Sequence, residues 1–444
     1  MTAPDLAAPA AEMGRAIRTG ALDPVALTEA HLDAIAAVPN ADQIYARLTE
    51  PRARAESEAA RARAKSGTLR GPLDGVPISW KDLFDTAGTA TEGGSRMLKD
   101  RVPEADAAVL RNASSRGLIC LGKTHQTELA FSGLGLNAMV ATPPNAVAPD
   151  HAPGGSSSGA AVSTARGLAA AGIGSDTGGS VRAPAAWNDL VGFKTSVGSL
   201  PMTGVLPLCA RFDTIGPLCR TVEDAALLFA AMGDGAAPDL DGASLDGASF
   251  LVLTNEVLAP LDDGPQAAFE GALAALSGAG AKLTHAAIPE LEEAMRLTTL
   301  FPAEAWGTWG ALIEEKGDLM NPPIRTRFEG GKAISGADFV ADWQRLDRLR
   351  AGFKSRIAAF DAVLLPTVPI LPPKIADLIA DDAYFAARNL ETLRNTRVGN
   401  LMDLTGLTLP TGTPHCGLMA LAPAGEERRI LRTGSAVEKT LAAH

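Results

Sequence analysis

Short apolar stretches alternate with helical patterns between residues 73 and 171, and this alternation constrains the fold more than any other feature of the chain. Residues 76–80 and 118–121 predict buried strands, and residues 105–116 predict a helix between them. Residues 158–171 are rich in alanine and glycine and predict a tightly packed helix. Strands and helices in series favour a parallel sheet covered by helices. We therefore expect an α/β protein with a large mixed, mostly parallel β-sheet and helices on both faces.

The flanking segments are predicted to add helices and strands to this core. The N-terminal segment is expected to be helical, with Asp23 as the cap and Pro24 as the first residue of one helix, and Pro51 beginning a second. The clearest break in composition covers residues 233–249, which are rich in glycine and aspartate. Beyond it, strands are predicted over residues 250–253 and 362–365, and helices over residues 266–276 and 337–359.

Charge and cysteine content exclude several classes of protein. Of the 444 residues, 51 are acidic and 40 are basic, and the net charge of −11 disfavours nucleic-acid binding, which requires a surplus of lysine and arginine. The apolar runs are too short to span a bilayer, and residues 1–9 lack the pattern of a secretory signal. The four cysteines form no C-x-x-C pair, which favours reduced thiols. These features predict a soluble, cytoplasmic protein that binds neither nucleic acid nor a membrane.

Three segments contain residue types that catalysis uses. The first is GPLDGVPISWKD at residues 71–82, which places Lys81 at the end of an apolar strand; the others are PGGSSSG at residues 153–159 and GSDTGGSVR at residues 174–182. Taken separately, each has a simpler explanation as a surface lysine, a flexible loop or a tight turn. The second segment also lacks the G-K-[ST] ending of a phosphate-binding loop. Their combination is therefore what indicates a function.

With these three segments, the chain resembles the amidase signature family. The resemblance covers residues 68–235, with a weaker similarity to the C-terminus, and also includes the stretches GKTHQTELA and FDTIGPLCRTVEDAA. It implies a catalytic lysine at Lys81, a bridging serine at Ser156 and a nucleophile at Ser180, at separations of 75 and 24 residues. It also implies hydrolysis of a carbon–nitrogen amide bond of a small-molecule substrate through an acyl-enzyme, without a cofactor.

The chemistry of serine nucleophiles agrees with these roles. A serine hydroxyl attacks a carbonyl only when a neighbouring base takes its proton, and Ser–Lys pairs are a recurring solution. Lysine acts as a base only when neutral, and burial among apolar residues lowers its pKa from about 10.4. Asp82 and Asp85 would oppose this shift, so we expect both to face away from Lys81. The resemblance also implies a cis peptide bond between Gly155 and Ser156, where glycine is the least strained residue.

The turn before Ser180 is predicted to stabilise the oxyanion of the reaction. The expected donors are the backbone N–H groups of the three preceding residues, Thr177, Gly178 and Gly179. A helix that Pro184 can start would add positive potential at its N-terminus. Asp176 and Arg182 flank the turn and are expected to form a pair that braces it, without a catalytic role.

A rival interpretation places the nucleophile at Ser157, the centre of a G-x-S-x-G pattern typical of α/β-hydrolases. It would need an acid and a histidine further along the chain, and His285, His415 and His444 are present. However, that motif follows a strand, whereas residues 145–153 read as a polar loop. The rival would also leave Lys81 unexplained.

Two other histidines lie close to the candidate segments. His151 lies five residues before Ser156, and His125 lies in GKTHQTELA. We expect both to be non-catalytic because the sequence assigns them no acidic partner. No H-E-x-x-H motif or paired Cys/His spacing is present, so no metal site is expected.

Substrate identity is expected to depend on residues 235–400, where the resemblance is weak. Candidate lining residues there are 298–301, Trp306, Trp309, Arg325 and Arg327, and solvent-facing or core roles stay open for each of them. The resemblance implies one amidase domain in four segments: a helical segment (1–67), the signature core (68–235), a variable substrate-shaping region (236–350) and the C-terminal part of the core (351–444).

Two other functions stay open at this point. The first is the glutamine-hydrolysing subunit of a tRNA-dependent amidotransferase, although the C-terminal portion looks shortened relative to that subunit. The second is an inactive amidase-like scaffold that binds a partner, which the intact lysine and two serines argue against. The sequence leaves open whether the chain works alone, as a homodimer or with partner subunits.

Overall fold

The fold is built on one large sheet. The structure is a computed structural model and describes residues 4–233 and 235–443. Most residues of the central strands are buried, which requires cover on both faces of the sheet. The eleven strands of the sheet are β1 (Tyr45–Leu48), β2 (Pro77–Lys81), β3 (Ile119–Thr124), β4 (Gly172–Asp176), β5 (Val191–Lys194), β6 (Thr214–Cys219), β7 (Ser249–Leu253), β8 (Lys282–Ala286), β9 (Ala362–Pro366), β10 (Leu404–Pro410) and β11 (Gly417–Pro423).

Helices supply this cover and connect many of the strands. Within the described residues the α-helices are α1 (Ala10–Arg18), α2 (Pro24–Ala37), α3 (Ala41–Ile44), α4 (Glu50–Ser66), α5 (Ala108–Ser115), α6 (Ser158–Ala165), α7 (Arg182–Trp187), α8 (Val222–Met232), α9 (Asp263–Gly278), α10 (Pro289–Ala294), α11 (Leu300–Lys316), α12 (Pro322–Glu329), α13 (Gly336–Ile357), α14 (Ile375–Ala380), α15 (Asp382–Thr392), α16 (Arg397–Leu401) and α17 (Glu427–Ala442). No helix in the part of the chain that the structure describes is long and apolar enough to cross a membrane.

The sheet mixes parallel and antiparallel neighbours. Its order is β1-β3-β2-β4-β6-β5-β10-β11-β9-β7-β8. Strand β2 is parallel to β3 and β4, and β7 is parallel to β8 and β9. The other six pairs are antiparallel. The predicted α/β class with a mixed, helix-covered sheet is confirmed, but the prediction that the sheet is mostly parallel is wrong.

Two of the six antiparallel pairs join consecutive strands that no helix separates. Residues 411–416 join β10 to β11, and residues 195–213, which contain no α-helix, join β5 to β6. Parallel neighbours require a crossover connection, whereas helix-free connections allow antiparallel pairing. A strand buried on both faces is a continuous apolar run in either direction. Strand direction was therefore not readable from the sequence.

Two boundaries near the candidate site differ from the predicted ones. Strand β2 lies one residue later than predicted, so Lys81 is its last residue. Helix α6 ends at Ala165 rather than at residue 171, because Gly167 adopts a positive φ of 67°. The N–H of Leu168 then donates to Ser163 O at 2.8 Å, which closes the helix. The residues that follow are free to enter β4.

The N-terminal segment is helical with one exception. Helix α2 begins as predicted, since Asp23 Oδ1 accepts hydrogen bonds from the N–H groups of Val25 at 2.7 Å and Ala26 at 3.2 Å. Helix α4 begins at Glu50 with Pro51 as its second residue. Strand β1, which pairs with β3, was not predicted, because four residues are too few to show a clear periodicity.

The predicted break in composition lies between α8 and β7, and its residue Asp234 lies outside the described residues. One hydrophobic cluster nevertheless contains buried side chains from Ala10 near one end of the chain to Leu441 near the other. The elements on both sides of the break therefore share a core.

The candidate site lies where two parallel strands end. Strands β2 and β4 are neighbours, with Trp80 opposite Ile173. Their carboxyl ends therefore lie at the same edge of the sheet, the usual position of sites in α/β proteins. Lys81 is the last residue of β2 and Asp176 is the last residue of β4.

Candidate active site

Lys81 is a fully buried lysine that contacts two serines. Its Nζ lies 2.6 Å from Ser156 Oγ and 2.8 Å from Ser175 Oγ, and the side chain has no exposed surface. Burial lowers the pKa of Lys81 to about 7, against the opposing attraction of Asp213 and Asp176. An amine with this pKa is partly uncharged at neutral pH, and it can then accept a proton.

The two aspartates next to Lys81 in sequence face away from it, as predicted. Asp82 Oδ1 accepts a hydrogen bond from Lys123 Nζ at 3.3 Å. Asp85 forms a two-fold ion pair with Arg101, at 2.6 and 3.0 Å. Neither carboxylate is therefore placed to hold Lys81 in its charged form.

Ser156 follows a cis peptide bond to Gly155, as the resemblance implied. The backbone around this bond is tightly held: Gly155 N–H donates to Gly133 O at 2.7 Å, and Ser156 O accepts from Thr127 N–H at 3.1 Å. A Cβ atom on Gly155 would lie 2.5 Å from the backbone nitrogen of Gly135. Position 155 therefore requires glycine, and the surrounding backbone fixes where Ser156 lies.

Ser180 lies in the turn between β4 and α7 and lines a cavity. Its carbonyl oxygen accepts a hydrogen bond from Ser157 N–H at 3.3 Å, which holds the two serine segments side by side. Within the described residues, no hydrogen bond joins Ser156 Oγ to Ser180 Oγ. The structure therefore brings Lys81 and Ser156 into direct contact and places Ser180 in the adjoining segment.

Asp176 and Arg182 form the predicted ion pair beneath this turn. Arg182 Nε and Nη2 lie 3.0 and 2.9 Å from the Asp176 carboxylate, and both side chains are fully buried. The same carboxylate accepts hydrogen bonds from Asn400 and from the N–H groups of Gly179 and Val181. Although burial raises the pKa of Asp176, Arg182, Lys194 and Asn400 outweigh it and hold that pKa at about 2. The Asp176 carboxylate is therefore charged at neutral pH.

These contacts correct part of the predicted oxyanion site. The N–H of Gly179 donates to Asp176 Oδ1 at 2.9 Å, so it is not free for a ligand. In residues 4–233 and 235–443, no acceptor is found for the N–H groups of Thr177 and Gly178, which both line the cavity. Helix α7 begins at Arg182, two residues before the predicted Pro184.

The cavity beside Ser180 has a volume of about 280 Å³ and is lined by both apolar and polar residues. Most of its surface is apolar, and two arginines, Arg327 and Arg397, face it. The described lining residues are Ala130, Phe131, Ser132, Thr177, Gly178, Ser180, Leu208, Leu297, Thr298, Phe301, Pro302, Thr326, Arg327, Gly330, Leu390, Leu393 and Arg397.

Three of the eight predicted pocket residues line this cavity and five, including Thr299 and Leu300, do not. Thr298, Phe301 and Arg327 line it. The prediction is wrong for Trp309, which does not line the cavity and whose Nε1 donates to Pro207 O at 2.8 Å. It is also wrong for Trp306, which packs under Lys332, and for Arg325, which pairs with Asp318 and Glu329.

The rival nucleophile, Ser157, has only backbone partners. Its Oγ lies 3.3 Å from both the O and the N of Ser175, and no strand precedes it in residues 145–153. His285 lies on the edge strand β8, and His415 Nδ1 contacts Trp187 O. His444 lies outside the described residues. Among the described residues, no histidine is hydrogen-bonded to Ser157 as a base.

The rings of His151 and His125 have hydrogen-bond partners other than Ser156 and Ser180. His151 Nδ1 contacts the carboxylate of Asp150, and His125 Nε2 contacts Asp42 O. Burial lowers the pKa of His125. Across the described residues there is no group of His, Cys, Asp or Glu side chains that could hold a metal ion.

Sequence reasoning missed three residues of this site. Ser175 and Asp213 interact with Lys81, and Arg397 lines the cavity. Ser175 lies inside the GSDTGGSVR segment, so a prediction that β2 and β4 are neighbours would have placed it near Lys81. No local signal points to Arg397, because it lies 217 residues from Ser180 along the chain.

Comparison with known proteins agrees with this geometry. A sequence model of the Amidase family matches residues 26–431. The chain is 35% identical to 2-amino-5-chloromuconic acid deaminase from Comamonas testosteroni, over 93% of this chain and 94% of that protein. It is 29% identical to a glutamyl-tRNA(Gln) amidotransferase subunit from Anaeromyxobacter sp. (strain K), over 97% of this chain and 95% of that one. The chain is therefore not markedly shorter than that relative, so length does not separate the two functions.

A solved structure described as an amidase shares the fold. It superposes with a TM-score of 0.86 at 29% identity, and the match covers 97% of this chain and 99% of that one. Similarity over nearly the whole length, in both sequence and structure, establishes a family relationship. The chain belongs to the amidase family and is a hydrolase that acts on amide carbon–nitrogen bonds.

Proposed function

We propose that the protein hydrolyses the amide bond of a small molecule, with Ser180 as nucleophile, Ser156 as proton bridge and Lys81 as base. The observation that carries this proposal is the 2.6 Å contact between Lys81 Nζ and Ser156 Oγ. Burial brings the pKa of Lys81 to about 7, so the amine can accept a proton at neutral pH. The cavity beside Ser180 has room for a small molecule.

Acylation requires two linked proton transfers. Lys81 takes the proton of Ser156, which takes the proton of Ser180 as the Ser180 oxygen bonds to the carbonyl carbon. The tetrahedral intermediate then breaks its carbon–nitrogen bond, and the proton returns from Lys81 through Ser156 to the leaving nitrogen. The acyl group remains on Ser180 as an ester. Water deprotonated along the same path then attacks the ester, which releases a carboxylic acid and restores Ser180.

The relay requires the Ser180 hydroxyl to approach Ser156 when a substrate binds. Catalytic hydrogen bonds of this kind commonly tighten only in the reacting complex. The hydrogen bond between Ser157 N–H and Ser180 O already holds the two segments next to each other.

The oxyanion is held by the N–H groups of Thr177 and Gly178 in this proposal. Each such donor contributes about 2.7–4 kcal/mol of transition-state stabilisation. Gly179 and the Asp176–Arg182 pair give the turn its shape, and Gly155 does the same for Ser156. None of these four residues needs to touch the substrate, and the mechanism uses neither a metal nor another cofactor.

The second candidate function is glutamine hydrolysis as part of an amidotransferase, which the similarity to the relative from Anaeromyxobacter favours. Glutamine carries an α-carboxylate and an α-ammonium group, and a carboxylate in the site would stabilise the ammonium. Among the described residues that line the cavity there is no aspartate or glutamate, whereas Arg327 and Arg397 are present. These two cations would attract the α-carboxylate of glutamine but repel its α-ammonium group, so they favour a carboxylate-bearing amide that lacks the ammonium. The name of the relative from Comamonas testosteroni also supports a small organic acid as substrate.

An inactive scaffold is the third possibility. A scaffold has no use for a buried lysine in contact with a serine, because burying such a group costs stability. The arrangement of Lys81 and Ser156 therefore supports an active enzyme.

We also propose a cytoplasmic location and a single catalytic domain with the four predicted segments. The location is supported by the four cysteines, which are all buried free thiols. The single domain is supported by the shared hydrophobic cluster.

Covalent labelling tests the proposed nucleophile. The protein is incubated with a serine-reactive fluorophosphonate, digested and mapped by mass spectrometry, with Ser180→Ala and Ser157→Ala as matched variants. We expect the label on Ser180 and its loss only in Ser180→Ala. A label on Ser157 would support the rival motif. Absence of a label, together with no release of ammonia or amine from a panel of amides, would support the scaffold.

A further inference from the structure

Two arginines on different helices face the cavity that contains Ser180. Arg327 lies on α12 and Arg397 is the first residue of α16. They are the only charged side chains among the described residues that line this cavity. The rest of the wall is largely apolar and includes Phe131, Leu208 and Phe301.

Neither arginine has a carboxylate partner among the described residues. Arg327 Nε donates to Phe131 O at 3.0 Å, and its guanidinium carbon lies 4.5 Å from the centre of the Phe131 ring. Arg397 Nε is shielded from solvent and has no hydrogen-bond partner in the described chain. By contrast, Arg325 on the same helix as Arg327 pairs with two carboxylates.

This arrangement is unfavourable without a bound anion. Burial and the neighbouring Arg397 lower the pKa of Arg327 to about 10, and burial lowers the pKa of Arg397 as well. Two like charges in a poorly solvated cavity repel each other, and a buried donor without an acceptor costs free energy. A ligand carboxylate would relieve both costs, because guanidinium groups bind carboxylates through paired hydrogen bonds.

The position of Arg397 links this charge to the catalytic turn. A Cβ atom on Gly178 would lie 3.6 Å from Arg397 Cγ. Gly178 is two residues from Ser180, so an anionic group bound by Arg397 would belong to the same molecule as the amide that Ser180 attacks. Arg327 approaches the cavity from the side of Phe131.

We propose that the cavity selects amides whose acyl part carries a free carboxylate, which Arg327 and Arg397 bind together. The substrates are then monoamides of dicarboxylic acids with an apolar chain between the two ends. This inference rests on the proposed amidase function and names its substrate class.

Matched pairs of amides test this selectivity. Succinamic, glutaramic and adipamic acids are compared with butanamide, pentanamide and hexanamide, in which a methyl group replaces the carboxylate. We expect kcat/KM to be higher for the acids, with the best chain length showing the span of the site. Equal or higher kcat/KM for the neutral amides would overturn the proposal.

Variants of the two arginines separate binding from catalysis. Arg327→Gln and Arg397→Gln should each lower kcat/KM for the acid amides about 10- to 100-fold, mainly through KM, because a charge-assisted hydrogen bond is lost. The preference for the acid amides over the matched neutral amides, expressed as a ratio of kcat/KM values, should therefore fall in both variants. A parallel loss of kcat for both kinds of amide would show that the arginines act on the reacting carbonyl and would overturn the proposal. Arg325→Gln, two residues from Arg327 but outside the cavity, is the control and should behave like the unmodified protein.

A binding measurement makes this test independent of turnover. In the Ser180→Ala variant, succinate, glutarate or adipate should raise the melting temperature, and adding Arg397→Gln should abolish the rise. Stabilisation without turnover of any amide would support the carboxylate site while contradicting the proposed function. Labelling of Ser180 without stabilisation or acid preference would overturn the carboxylate site while leaving the proposed function intact.

Discussion

Lys81 Nζ and Ser156 Oγ lie 2.6 Å apart, although 75 residues separate them in the chain. Strand β2 ends at Lys81, and a tightly hydrogen-bonded backbone fixes Ser156 just before α6. The nearest carboxylates in sequence are paired with Lys123 and Arg101. The fold thus buries an amine without a direct ionic partner, which is the condition for a lysine to act as a base.

Removal of the amine should abolish most of the activity. In Lys81→Met the side chain keeps a similar volume but cannot take a proton, so we expect kcat to fall by about 10²–10⁴ or more. The fold should persist, because an apolar side chain fits a fully buried site. The measurements are kcat with an acid amide and the melting temperature. Lys99→Met, at an exposed position, is the control, and near-normal activity in Lys81→Met would eliminate the relay.

The Asp176–Arg182 pair should be essential for stability. Asp176→Asn leaves the buried Arg182 without its counter-charge, and breaking a buried pair costs about 3–5 kcal/mol. Denaturant unfolding at neutral pH measures this loss, with Asp241→Asn at an exposed loop position as control. A loss below about 1 kcal/mol, the size of a surface pair, would contradict the structure.

The stability that the Asp176–Arg182 pair contributes should decrease at low pH. The pKa of Asp176 is about 2 in the folded protein, below its ordinary value of 3.8. The ionised carboxylate therefore contributes fully to the free energy of unfolding above pH 3.8, the pKa in the unfolded chain. This contribution disappears as the pH falls through the pKa of the folded protein. The difference in stability between the unmodified protein and Asp176→Asn should be constant from about pH 5 to 7 and shrink below about pH 4. A difference that grows on acidification would contradict the assignment.

Gly155 should tolerate no side chain. In Gly155→Ala the added Cβ would lie 2.5 Å from Gly135 N and 2.7 Å from Thr127 Oγ1, so the segment that carries Ser156 must shift. We expect a lower melting temperature and a loss of kcat larger than the loss of stability explains. Gly271→Ala is the matched control: it lies on an exposed face of α9 with open space around it, and alanine there should stabilise by about 0.5–1 kcal/mol. Full activity of Gly155→Ala would show that Ser156 is less constrained than its contacts indicate.

The candidate site was largely predictable because its residues lie in short, distinctive segments. Lys81 terminates an apolar run, and Ser156 and Ser180 lie in glycine-rich turns whose order and spacing resemble the family. The Asp176–Arg182 pair was also predictable, since its two members flank one turn. The commitment of the Gly179 N–H to Asp176 was not, because it depends on how the carboxylate is rotated inside that turn.

Features that depend on distant contacts could not be read from the sequence. The directions of β5, β6, β10 and β11 depend on connections without helices, and an apolar strand has the same composition in either direction. Arg397 reaches the cavity only through the packing of α16 near the turn at Gly178. Trp309 and Trp306 were candidates for the pocket with a core role left open, and both pack outside the cavity.

The rate of fluorophosphonate labelling of Ser180 as a function of pH tests the relay most directly, because it reports the nucleophile without requiring the natural substrate. With a neutral Lys81 as base, the rate should rise through an apparent pKa of about 7 and level off above it. Lys81→Met should label far more slowly and without that rise. A labelling rate that is flat between pH 5 and 9, or the same profile in Lys81→Met, would contradict proton transfer from Ser180 through Ser156 to Lys81.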